Sequence, residues 1–106
     1  MYIRLSKIMT KNYYQKILNE AINRAKQEYE SIPNLSFNES IYNQLVDIKK
    51  TVVDENYAYT EAEADKKYPL GVMAIRNFDG YDKFEYKDML VDISYGISRY
   101  PTMSEE

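Results

Sequence analysis

The chain has 106 residues, of which 44% are hydrophobic and 29% charged. That balance supports a globular core and excludes a disordered or fibrous chain. It contains neither cysteine nor histidine, which excludes disulfides, thiolate nucleophiles, Ser–His and Cys–His catalytic pairs, and the common structural zinc sites. Net charge is −3, unevenly spread: residues 1–27 carry six basic side chains and one acid, residues 28–66 three bases and nine acids. An acidic middle argues against a nucleic-acid partner and for a basic or cationic one.

Residues 1–9 show no usable periodicity and read as a frayed lead-in. Arg4 and Lys7 interrupt them, and their apolar content is too short for a secretory core or a membrane span, so a cytoplasmic chain is expected. From about Lys11 to Ser31 the pattern is helical, with Tyr14, Ile17, Leu18, Ala21, Ile22, Ala25 and Tyr29 on one stripe and Thr10 placed to cap it. Pro33 ends the helix by disfavouring helical geometry before it. Ser36 and Glu39 fit a capping box, which opens a second helix to about Asn56 with Ile41, Leu45, Ile48 and Val52 inward and Tyr42 and Val53 widening the stripe. Thr60 and Glu63 fit another capping box, opening a short helical turn to about Lys67.

The stretch Tyr68 to Gly80 is the most apolar run in the chain. It reads as a short buried helix at the centre of the bundle, with Pro69 at the first helical position and Gly80 just past the end. Val72 and Ile75 are β-branched, so a buried strand fits the same run. A cap-like signal at Asp82 to Glu85 precedes a last helix to about Arg99, with Tyr86, Met89, Leu90, Ile93 and Ile97 inward and Pro101 as the stop. No linker divides the chain. The expected architecture is all-α: one domain over residues 1–106, an antiparallel bundle of about four helices plus a short helical turn, with 1–9 and 102–106 flexible.

Three glycines leave no room for a phosphate loop. The carboxylate pairs Glu61/Asp65 and Asp88/Asp92 lie at i,i+4, a spacing that holds a divalent cation or shares a proton, and more commonly is solvated surface charge. Without histidine or further ligands, the expectation is no metal, no cofactor and no catalytic residue. Residues 54–65 hold Asp54, Glu55, Glu61, Glu63 and Asp65 without a base, with Tyr57 and Tyr59 between them. Acids interleaved with tyrosines suit a protein–protein surface, since charge speeds encounter and aromatics anchor. The plain alternative is an exposed polar loop whose tyrosines pack partly on the bundle.

The run Tyr68-Pro69-Leu70-Gly71-Val72-Met73-Ala74-Ile75-Arg76-Asn77-Phe78-Asp79 is preceded by Gln44-Leu45-Val46-Asp47-Ile48 and followed by Leu90-Val91-Asp92-Ile93-Ser94-Tyr95-Gly96. This order resembles the small all-helical immunity proteins of bacterial type VI secretion that neutralise NAD(P)+-hydrolysing effectors. The likeness covers about residues 40–100. It implies a non-enzymatic protein that binds a cognate toxin, one with a basic or nucleotide-binding active-site cleft, and occludes that cleft, without a membrane or nucleic-acid partner. Asp54, Glu55, Tyr57, Tyr59, Glu61 and Glu63 are the candidate contacts. A helical scaffold or regulatory module, including a homodimer that buries the tyrosine surface, is the alternative.

Overall fold

Helix α1 (Lys11–Ser31) begins where the Thr10 hydroxyl accepts the Tyr13 amide, satisfying one of the donors that a helix start leaves open. The structure is a computed structural model and describes residues 2–78 and 84–106. Tyr14, Ile17, Leu18, Ala21 and Ala25 bury the inner face of α1. Helix α2 (Ser36–Ile48) runs on into a π-helical turn, Lys49–Asp54. Its expected stripe of Ile41, Leu45, Ile48 and Val52 is fully buried. Asn56 then takes a left-handed φ of 59° and ends the segment, a geometry asparagine tolerates better than most residues.

The capping box expected at Ser36 does not form. Leu35 occupies the cap position without a side-chain bond, and Ser36 is already helical. Glu39 accepts from the Tyr29 hydroxyl instead. The buried Asn38 donates to the carbonyls of Glu28 and Ile32, so the α2 start serves the exposed end of α1.

Helix α3 (Glu61–Lys67) opens on the second expected capping box, which is complete: Thr60 accepts from the Glu63 amide and Glu63 from the Thr60 amide. Helix α4 (Leu70–Asn77) follows at once. The apolar run is therefore helical, with Pro69 one place earlier than expected, at the cap. Its burial is one-sided. Leu70, Gly71 and Ala74 are buried, but Val72 and Ile75 are 54% and 59% exposed, which corrects the expectation of a wrapped central helix. The expected Gly80 terminus and the cap signal at Asp82 lie outside the described residues.

Helix α5 (Phe84–Gly96) stops a turn before the expected Arg99, and Pro101 sits inside a 3₁₀ turn, Tyr100–Thr102. Tyr86, Leu90, Ile93 and Ile97 are buried as expected, and Met89 only partly. α1 packs on α2 and α5, and α4 closes the ring by packing on α2 and α5. Partners along the seams show antiparallel neighbours: Tyr29 stacks near Tyr42 and Phe78 near Tyr86, while Tyr14 donates to the Ile93 carbonyl at 2.7 Å. Five α-helices and no strand occur among the described residues.

Two glycines set helix separations. A Cβ on Gly71 would lie 2.9 Å from Ser94, and one on Gly96 would lie 2.4 Å from the Tyr14 ring. Only glycine lets these seams close. No described helix is long and apolar enough to cross a membrane.

Candidate functional site

The π-helical turn and the start of α3 place the six sequence candidates on one continuous stretch, in three different situations. Asp54 and Glu55 are exposed at the end of the turn, and their carboxylates have no hydrogen bond or ion pair among the described residues. Tyr57 is 52% exposed, and its ring lies 4.5 Å from that of Tyr59. Glu61 and Glu63 are exposed but engaged. Glu63 closes the capping box, and its carboxyl titrates below the usual range because the Thr60 backbone and hydroxyl stabilise the anion. Glu61 pairs with Arg99 at 3.4 Å, and that guanidinium lies 3.7 Å from the Tyr95 ring centroid. The unengaged groups are therefore Asp54, Glu55 and Tyr57.

Tyr59 is the hinge between this surface and the core. Its ring meets the buried Tyr68 edge-on at 5.6 Å, and the two hydroxyls lie 3.3 Å apart. Lys67 donates to the Tyr59 hydroxyl at 3.0 Å. Tyr68 donates a short hydrogen bond to Asp47, and the Thr51 hydroxyl lies 3.1 Å from the Tyr68 hydroxyl. Burial pushes the Tyr59 phenol up, but its hydrogen bonding with the Tyr68 hydroxyl and the bond donated by Lys67 outweigh it and hold the phenol below its ordinary value. Burial, and then the Asp47 carboxylate, push the Tyr68 phenol up. Asp47, Lys67 and Tyr68 were not site candidates from sequence. A signal was present: Asp47 and Thr51 are i,i+4 on the α2 extension, but nothing local shows that Tyr68 comes to meet them.

The two carboxylate pairs also separate. Glu61 is held by Arg99, and Asp65 lies beside it in a cleft of about 110 Å³ with Tyr95 and Arg99. Asp88 and Asp92 do share a cation, and it is the chain's own Arg4. The Arg4 guanidinium lies 3.5 Å from Asp88 and donates twice to Asp92, at 2.8 and 3.0 Å. Tyr2 and the Leu5 amide complete the Asp92 shell at 2.6 and 2.9 Å. Burial pushes the Asp92 carboxyl up, but the bonds from Arg4, Tyr2 and Leu5 outweigh it, and it titrates below the usual value. Residues 2–9, read from sequence as a frayed lead-in, are thus tied to α5, and Leu5 is buried beside Gly96 and Tyr14.

No group of three acidic side chains close enough to share a metal ion occurs among the described residues. With carboxylates either engaged in salt bridges or alone on the surface, this arrangement suits recognition by shape, charge and exposed aromatic area. Comparison with known proteins agrees with that character: the Tsi6 family model matches residues 13–99. No curated protein and no solved structure matches the chain.

Proposed function

We propose, from the premise that this chain belongs to the Tsi6 family of type VI secretion immunity proteins, that segment 54–63 is the surface with which it meets its toxin. Membership of an immunity family gives the general role, a protein that binds a cognate toxin, and such families are generally non-enzymatic. The finer reading is that the toxin hydrolyses NAD(P)+, and that the acidic, tyrosine-bearing segment covers a basic or nucleotide-binding cleft where substrate enters. Carboxylates there take the place of substrate phosphates, and the block is steric.

One observation carries this reading. Asp54, Glu55 and Tyr57 are exposed within four residues of one another in sequence and have no internal charge partner among the described residues. Carboxylates without an internal cation keep their attraction for an external one, and an exposed tyrosine supplies anchoring area at low entropic cost. Tyr59, Glu61 and Glu63 then act as support: Tyr59 fixes the Tyr57 ring, and the capping box fixes the turn.

Co-expression of the chain with the product of the neighbouring gene, tested as a candidate toxin, tests the role. Rescue of growth with a one-to-one complex, and loss of NAD+ hydrolysis in that complex, is the expected result. Failure to rescue, with no complex, removes the reading. A second reading, a scaffold or homodimer, draws on the exposed Val72 and Ile75 of α4. Light scattering that finds a dimer, lost on Ile75→Glu, would favour it.

A further inference from the structure

The outer face of α2 carries a polar stripe that the bundle does not cover. Ser36, Ser40, Asn43 and Asp47 follow at i, i+4, i+7 and i+11, which places them on one helical face about 16 Å long at 1.5 Å per residue. With Lys67 and Tyr68 they line an open groove of about 390 Å³. Its acceptors are in excess. Asp47 accepts the Tyr68 hydrogen bond and faces the Lys67 charge on Oδ2 alone, leaving Oδ1 unengaged among the described residues. Glu39, further along the groove, uses only Oε2, for Tyr29. Gln44 also lines the groove, where its amide donates to the Ser40 hydroxyl at 3.0 Å and lies 3.4 Å from the Met73 sulfur.

We propose that this groove is the seat of a basic segment of the toxin, with an arginine or lysine side chain against Asp47. The proposal rests on the toxin-binding reading above and extends its surface from segment 54–63 across Lys67 onto α2. Continuity supports it: Lys67, on the groove wall, donates to Tyr59, whose ring lies against Tyr57. Charge supports it as well: two carboxylates, Glu39 and Asp47, face one lysine in the groove. The unengaged oxygens of Asp47 and Glu39 favour a cationic donor over an acidic occupant. An extended segment of about five residues spans the stripe at roughly 3.3 Å per residue.

The first test is a side-chain titration of the intact chain, followed by amide NMR. Nα-acetyl-arginine amide should shift the Asn43 and Gln44 side-chain amides and the 44–47 backbone saturably. Nα-acetyl-citrulline amide, the same shape without charge, should not. Asn43→Arg, at an exposed position whose side chain has no hydrogen bond or ion pair among the described residues, should abolish the response. Equal shifts from both probes, or shifts spread over all acidic surfaces, would overturn the proposal.

The second test uses the toxin complex. Asn43→Arg should weaken it about tenfold or more, because like charges at an interface are strongly unfavourable. The milder double variant Glu39→Gln/Asp47→Asn should weaken it in the same direction. If the wild-type chain protects and binds but both variants bind unchanged, the groove is no part of the toxin surface, while the toxin-binding reading stands. If the groove instead mediates a dimer of this chain that Asn43→Arg dissolves, its occupant is a second copy and the proposal falls.

Discussion

Two acidic regions of this molecule have the same residue types and opposite fates. At the α5 end, Asp88 and Asp92 lie at i,i+4, and Arg4 answers both. Asp92 is buried and fully bonded by Arg4, Tyr2 and the Leu5 amide. Around the α2 extension, Asp54 and Glu55 are exposed and unanswered, and Asp47 and Glu39 are answered on one oxygen each. The difference teaches that carboxylate density in a sequence does not reveal availability. A saturated carboxylate holds the fold, and only an unsaturated one has attraction left for a partner.

Breaking the saturated region should cost stability and spare recognition. Asp92→Ala leaves the buried Leu5 amide without its acceptor and the Arg4 guanidinium with only its longer contact to Asp88. We expect a loss of about 3 kcal/mol, reduced from the full buried-pair figure because Arg4 is partly solvated, read as a lower urea midpoint at unchanged slope. The pH dependence has a defined sign. The Asp92 carboxyl titrates below its unfolded value of about 4, so its stabilisation is fully present above that pH and is lost as pH falls through the folded value. Asp92→Asn should therefore flatten the acid limb of the stability curve, and an unchanged limb would contradict that assignment.

Breaking the unsaturated region should do the reverse. Asp54→Lys/Glu55→Lys/Tyr57→Ala should weaken the toxin complex on the order of a hundredfold, by calorimetry, while thermal midpoints stay within a few degrees. Gly96→Ala sharpens the first region further. Its Cβ meets the Tyr14 ring, which is fully buried and bonded to Ile93, so neither can move freely. A loss of about 2 kcal/mol is expected. The smallest effect is Thr60→Ala, about 1 kcal/mol through the lost cap of α3, again with little change in binding.

The helices were legible because their signals are local. The stripe of α1, the Thr10 cap, the Thr60–Glu63 box and the buried positions of α2 and α5 all follow from spacing within one turn or two. The Ser36–Glu39 box has the same local signature and failed because tertiary partners won: Tyr29 took Glu39, and Asn38 turned back to the end of α1. The apolar run from Leu70 was read as helical but too deeply buried, since mean apolarity does not tell which face the neighbours leave open.

The candidate site was legible in part for the same reason. Asp54, Glu55 and Tyr57 lie together in sequence and together in space. The distinction between them and Glu61 depends on Arg99, a residue far along the chain. Asp47, Lys67 and Tyr68 come together only through packing of α2 against the α3–α4 junction, and Arg4 finds Asp92 across nearly the whole chain. No spacing rule reaches that far.

The most direct test of the central claim is hydrogen–deuterium exchange of the chain, free and bound to its toxin. If availability follows from unsaturated carboxylates, binding should slow exchange over residues 54–59 and along 36–47. Residues 88–96 and the lead-in should remain unchanged. Protection confined to the Asp88–Asp92 face of α5, with segment 54–63 exchanging as in the free chain, would contradict the account.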